Sequence, residues 1–225
     1  MLAAWPKDTS ARTFAAAADN VRFQLGQSDR FREGLVRSGQ WKPHIRSVLA
    51  QYGLPKELEV LPHVESSFNP SAWSKVAAAG MWQFMPVTAR DFMRVDHVVD
   101  ERMDPFVATE GAAKLLKRNY GLTGTWPLAL TSYNHGTGGM MRAAKQVGTK
   151  DIGTIVQKYN GAAFGFASRN FYASFLAALE IDRHAKRYFG PVDLDEPTDY
   201  DVVPVSEFIS AKALAQTAGI SMDQL

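Results

Sequence analysis

Apolar positions along this chain recur at helical rather than alternating spacing, and prolines, glycines and capping residues cut them into a succession of helices. Residues 13 to 38 mix an Ala-rich run with Arg22, Arg30, Arg32 and Arg37, while Val21, Phe23, Leu25, Phe31 and Leu35 form an apolar stripe. This predicts an N-terminal helical wrap, which Gly26 and Gly34 weaken as a single continuous helix. From Trp41 a sharper pattern begins. Pro43 suits a first helical turn, Ile45, Val48, Leu49 and Tyr52 make one face, and Gly53 with Pro55 makes a stop.

A further helix is predicted from about Pro55, with a kink at Pro62, whose missing N–H deletes a hydrogen bond to residue 58. Asn69-Pro70 ends it and opens a loop to Gly80. Another helix begins at Pro86, and Asp104-Pro105 supplies an N-cap and a first-turn proline for a helix through Tyr120. Thr125 or Trp126 starts the next. Met140, Met141, Ala144 and Val147 mark one after Gly136, and Ser168 is read as the cap of a long amphipathic helix through Tyr188 that Gly190-Pro191 terminates.

Asp193 to Val205 breaks the pattern with acidic residues, prolines and the alternating Tyr200-Asp201-Val202-Val203, the marks of a linker with extended character. Ser206 is then predicted to cap a short helix to about Ala218, and Gly219-Ile220-Ser221 to start another. The organisation expected is residues 1–40 as an N-terminal helical extension on the core, 41–190 as the main domain, and 191–225 as a linker with a truncated helical segment.

Length and composition narrow the function. With 225 residues and 46% hydrophobic content the chain can bury one substantial core. A net charge of +2, with no Lys/Arg cluster interleaved with aromatics, argues against a nucleic-acid partner. There are 0 cysteines, so no disulfide framework or thiolate metal site forms, and the 5 histidines include no closely spaced pair of the zinc-binding kind. We assign no metal and no cofactor. No uncharged run reaches membrane-spanning length, so the segment itself makes no membrane contact; it assigns no oligomeric state.

Glu65 is the residue out of place. Leu58, Val60, Leu61 and Val64 precede it and Phe68 follows, so a carboxylate ends an apolar run, at the negative end of a helix that Asn69-Pro70 stops. Burial and dipole both raise a carboxyl pKa, and an acid that keeps its proton near neutral pH is what protonating a poor leaving group requires. A Glu that caps or salt-bridges within the core fits the local pattern equally.

Fixed spacing around Glu65 adds to this. Ser74 follows nine residues later, then Ala78-Ala79-Gly80, Met81-Trp82-Gln83-Phe84-Met85 and Pro86, and downstream Ser132-Tyr133-Asn134-His135-Gly136 behind Trp126-Pro127-Leu128-Ala129-Leu130. These blocks resemble the lytic transglycosylase family, with its Glu-Ser pair, Ala-x-Ser, Gly-Ala-x-Gly, Met-Gln or Trp-Gln, and Ala-Tyr-Asn-Ala-Gly. Leu54-Pro55-Lys56-Glu57-Leu58, Trp82-Gln83-Phe84, Asp100-Glu101-Arg102-Met103-Asp104-Pro105 and Arg169-Asn170-Phe171-Tyr172 look like the membrane-bound murein transglycosylase D branch. Ala77 stands where the family usually has Gly, His135 where it has Ala, Thr131-Ser132 where Ala is common, and Ala167 near where that branch often has Glu. An Ala at 77 restricts the backbone if the family uses positive φ there.

The resemblance implies an all-α, goose-type lysozyme-like helical domain with a glycan-binding cleft. It implies non-hydrolytic cleavage of the β-1,4 MurNAc-GlcNAc bond of peptidoglycan to 1,6-anhydro products, with Glu65 as the one acid and base. The alternatives are a goose-type hydrolase of the same bond and a non-catalytic glycan-binding scaffold. Ser74 is then a polar contact to substrate rather than an ordinary loop serine, and Gln83 and Met85 are cleft residues rather than a capping amide and a core methionine. Tyr133 turns a hydroxyl to the cleft, and Asn134 either contacts substrate or ties helices together. Asp100, Glu101, Arg102 and Asp104 are read as structural, with Arg102 paired to a carboxylate and Asp104 capping, although Asp100 or Glu101 is the one candidate for a second catalytic carboxylate. Peptidoglycan strands are the implied partner, and the implied place is the bacterial cell envelope, in the periplasm or anchored at the outer membrane. A signal or lipoprotein segment has then been removed, and the C-terminal stretch leads towards cell-wall-binding modules.

Overall fold

The computed structural model describes residues 28–198, 205 and 207–222. Its first helix, α1 (Ser28–Gln51), buries Leu35, Trp41, Ile45, Val48 and Leu49 and runs without a break through both Gly34 and Pro43. The predicted division near Trp41 is therefore corrected. Gly34 persists inside the helix because His63 and Ser67 press on it: a Cβ there would stand 3.1 Å from the His63 ring. Packing outweighs the roughly 1 kcal/mol of helix propensity that a glycine forfeits. The part of the predicted N-terminal wrap before residue 28 lies outside the described residues.

Lys56–Val60 forms a 3-10 turn that passes into the five-residue α2 (Leu61–Glu65), with Pro62 in its first turn. Pro62 thus marks a change of helix type rather than a kink in one helix. The chain then loops, with isolated antiparallel bridges at Trp73 to Ala79 and Ala79 to Phe84, before the single turn α3 (Pro86–Ala89). A 3-10 turn, Glu101–Met103, leads to α4 (Pro105–Thr123), and Asp104 caps α4 by accepting from the N–H groups of Phe106 and Val107. Among the described residues no strand forms, only these bridges and a third between Val95 and Asp100.

Helix α5 (Trp126–His135) is buried from Trp126 to Ser132 and is apolar on nearly every side, as a helix inside a bundle must be. Helices α4, α6 (Thr137–Val147) and α8 (Phe166–Arg183) pack around it. Between α6 and α8 lies α7 (Ile152–Lys158), a short helix that the apolar pattern did not announce; Asp151 caps it by accepting from the N–H of Thr154. Gly165, not Ser168, precedes α8, and the predicted helix through Tyr188 is divided at His184 into α8 and α9 (Ala185–Phe189). Ser168 is buried within α8.

Ser210 caps α10 (Ala211–Ala218), and Ile220 and Ser221 are not helical. The extended character expected of Tyr200 to Val203, and the cap expected of Ser206, fall outside the described residues. The fold class is the all-α, lysozyme-like one the motifs implied.

Candidate active site

Glu65 is the last residue of α2, and the backbone beyond it folds sharply back. The N–H groups of Ser66 and Phe68 both reach the carbonyl of Pro62, and Ser67 and Phe68 take left-handed φ values of 54° and 57°. Each such non-glycine residue costs about 1–2 kcal/mol. The gain is that Phe68 drops completely into the core. Three hydrogen bonds hold the turn: Ser66 Oγ donates to the Met81 carbonyl at 2.7 Å, the Asn69 N–H donates to Ser66 Oγ, and Arg37 Nε on α1 donates to the Ser67 carbonyl.

The Glu65 carboxyl itself makes no hydrogen bond or ion pair among the described residues. Leu58 and Leu61 on the approach, and Phe68 after it, are fully buried, and that dry setting raises the carboxyl from its ordinary value of 4.5 to about 8. Part of the residue still reaches solvent, as an acid that meets a substrate must. The core-salt-bridge reading of Glu65 is therefore set aside. Tyr133 on α5 is near enough for the Glu65 charge to help raise its phenol, after burial, well above the usual value. Its hydroxyl donates to the Trp82 carbonyl at 2.9 Å, so it lies beside the acid but is not free in the cleft.

The loop after Asn69 is organised from within. Ser74 Oγ accepts from the N–H groups of Ala78 and Val76, at 2.9 and 3.3 Å, which leaves its own proton to donate outward. Gln83, at φ 49°, spends its amide N–H₂ on the carbonyls of Gly80 and Ala72, which leaves its carbonyl oxygen as an acceptor. Met85 is 40% exposed, which removes the core-methionine reading. Asn134 is exposed and accepts from Ser168 Oγ, so it ties α5 to α8; nothing in the structure joins it to Glu65.

Arg102 is the residue whose reach the sequence concealed. Only 3% exposed, it is bidentate to Asp100 as anticipated, but it also donates to the carbonyls of Ala77 and Phe84 and so ties the middle of the loop to its end. Gly80 fits over it with φ 77°, and a Cβ there would stand 1.8 Å from the Arg102 carbonyl oxygen. The Arg102 hydrogen bonds hold the Asp100 carboxyl below the usual carboxylate range. Glu101 accepts from the Arg94 N–H at 2.6 Å. Ala77 adopts φ 66°, a left-handed conformation in which an alanine is restricted. Among the described residues no group of His, Asp and Glu is arranged to hold a metal ion.

A helical bundle around a buried α5, with a desolvated carboxyl that has no partner among the described residues at the end of a short helix, defines a lysozyme-like domain. The chain belongs to the transglycosylase SLT domain family, whose pattern matches residues 44–156 and so takes in Glu65, the loop and Tyr133. It is 28% identical over 236 aligned positions to the membrane-bound lytic murein transglycosylase D of Escherichia coli (strain K12), which covers 94% of this chain and 50% of that protein. It is 35% identical over 127 positions to a transglycosylase of Enterobacteria phage PRD1, which covers 56% of this chain and 45% of that protein. The chain therefore spans about half the length of these relatives. No helix among the described residues is long and apolar enough to cross a membrane.

Proposed function

We propose that this chain is a peptidoglycan lytic transglycosylase acting in the bacterial cell envelope, on the periplasmic side, and that Glu65 is its single acid and base. The observation that carries this reading is the Glu65 carboxyl: desolvated, without a partner among the described residues and raised to about 8. As acid it gives its proton to the oxygen of the β-1,4 bond while the substrate's 2-acetamido oxygen covers the anomeric carbon. As base it recovers a proton from the C6 hydroxyl, whose oxygen closes the 1,6-anhydro ring. The proton count balances and no water enters.

The other carboxylates support the same reading. A hydrolase that inverts or forms a covalent intermediate needs a second carboxylate free to steer water or attack carbon. Asp100 is held through both oxygens by Arg102, and Glu101 accepts the Arg94 N–H through one oxygen. Ser74, with its free proton, and Gln83, with its free carbonyl, are the proposed contacts to the substrate's polar substituents, and exposed Met85 a contact to the sugar face. Tyr133 holds the Trp82 carbonyl beside the acid, and Asn134 serves the site by joining α5 to α8. Residues 41–190 are the proposed catalytic domain, with the N-terminal part of α1 packed on it and 191–225 a linker whose start returns to α1, where the Asp195 N–H donates to the Val36 carbonyl.

Digestion of purified sacculi tests the reading. Released muropeptides are expected to be 1,6-anhydro species, one water lighter than hydrolase products, Glu65→Gln is expected to abolish release, and Asp100→Asn or Glu101→Gln to keep it where the protein folds. Reducing-end products together with loss of activity in either of the last two variants reassign the chain to the hydrolases. Binding to sacculi without release by the wild type makes it a glycan-binding domain.

A further inference from the structure

An acid kept free of partners cannot be held in place by its own side chain. Helix α2 is five residues long and lacks a side-chain cap at its start, so something else must fix its rotation and depth. His63 lies two residues before Glu65 and, at about 100° per residue, on the opposite face of the helix. Its side chain is fully buried, and its Nε2 meets Asp182 Oδ1 of α8 at 3.0 Å. Lys42 of α1 donates to the same oxygen. The imidazole is stacked on Phe31 with ring centroids 4.3 Å apart and is met edge-on by Phe68 at 4.6 Å. Its Nδ1 makes no hydrogen bond among the described residues and rests against Gly34.

We infer that His63, through Asp182 and Lys42, is the positioning residue that sets the catalytic acid in α2. Three helices meet in this contact, and it grips α2 through the face opposite the Glu65 side chain. Its charges also balance. Lys42 is positive, Asp182 negative and His63 neutral, because burial lowers the imidazole more than Asp182 raises it. The remaining cation facing the ring, Arg37, is spent on the Ser67 carbonyl. The anchor therefore offers Glu65 neither a donor nor a net charge, either of which would draw off its proton; burial alone is the cause of the Glu65 shift. An anchor built on the acid's own face would have lacked this property.

The inference rests on Glu65 being the acid, and its test separates the two claims. In the full chain, His63→Leu keeps the ring's approximate volume and leaves Lys42 and Asp182 paired. The expected result is a loss of kcat on peptidoglycan of about 100-fold, the scale of a misplacement of roughly 1 Å, with KM within about twofold of wild type. His63→Gln, whose amide nitrogen reaches the position of Nε2, should restore most of the rate, and the shorter His63→Asn should not. Solvent admitted by a loosened α2 should move the Glu65 carboxyl towards ordinary values, read by ¹³C NMR titration without any turnover. A folded His63→Leu protein with kcat within about threefold of wild type and an unmoved Glu65 titration overturns the inference, as does Asn matching Gln where the Leu variant fails to fold. Because the titration needs no substrate, the anchor stands or falls even if the wild type releases no product, an outcome that would refute only the proposed function.

Discussion

The raised pKa of Glu65 makes a quantitative prediction about stability. Between its ordinary value of 4.5 and about 8, the unfolded chain has released this proton while the folded chain keeps it. The unfolded state then binds fewer protons, so stability falls as pH rises across that interval and levels off above it. Each pH unit costs about 1.36 kcal/mol, which puts the whole interval at up to about 5 kcal/mol. The solvent-facing side of Glu65 screens part of this, leaving about 2–5 kcal/mol. Glu65→Gln is near-isosteric with the protonated acid and does not titrate. Its Tm should match wild type near pH 4 and exceed it by roughly 4–20 °C at pH 9, at about 2–4 °C per kcal/mol for a chain of this size. Other groups titrate alike in both proteins and cancel in the difference. Calorimetry of the two proteins across pH 4–9 checks it. A Tm difference that stays flat, or that shrinks as pH rises, would show that Glu65 is ordinary or paired, and the dry-acid argument would fail with it.

Cleavage by the wild type should fall as pH rises past about 8, because the acid's proton is lost there; a rate still climbing at pH 9 in a sacculus-clearing assay excludes Glu65 as the acid. Tyr133→Phe strips the Trp82 carbonyl of its partner, at a cost of about 1–3 kcal/mol. Both the melting temperature and the rate measured well below melting should drop, and an unchanged melting temperature would mean that the bond is not made in solution. Ala77→Gly relieves a left-handed alanine and should stabilise the fold by about 1 kcal/mol; denaturant titration that shows a loss instead would place the strain elsewhere.

What was legible in the sequence was whatever local chemistry determines. Asp104-Pro105 started a helix because a carboxylate and a proline satisfy the first turn by themselves. Glu65 stood out because its neighbours along the chain are also its neighbours in the fold. Contacts between distant residues were not legible. Nothing near Gly34 or Pro43 says that α1 continues, since the His63 ring and the rest of the core decide it. Met85 ends an apolar run yet is exposed, because α3 begins at the next residue and turns it outward. The partner of His63 lies 119 positions away, beyond any local pattern. In Arg102 the two cases meet in one side chain: the bond to Asp100 is local and was anticipated, whereas those to Ala77 and Phe84 were not.

These distant contacts share a design that the acid's chemistry explains. A carboxyl stays protonated at neutral pH only where no donor or cation reaches it, since either would stabilise the charged form. The site nevertheless needs cations, because irregular loops expose backbone carbonyls that buried structure must satisfy. Three cations around the site are committed to other partners. Arg102 spends its donors on Asp100, Ala77 and Phe84, Arg37 spends its Nε on Ser67, and Lys42 is held by Asp182. Each of these groups fixes a segment next to Glu65 without bonding to it.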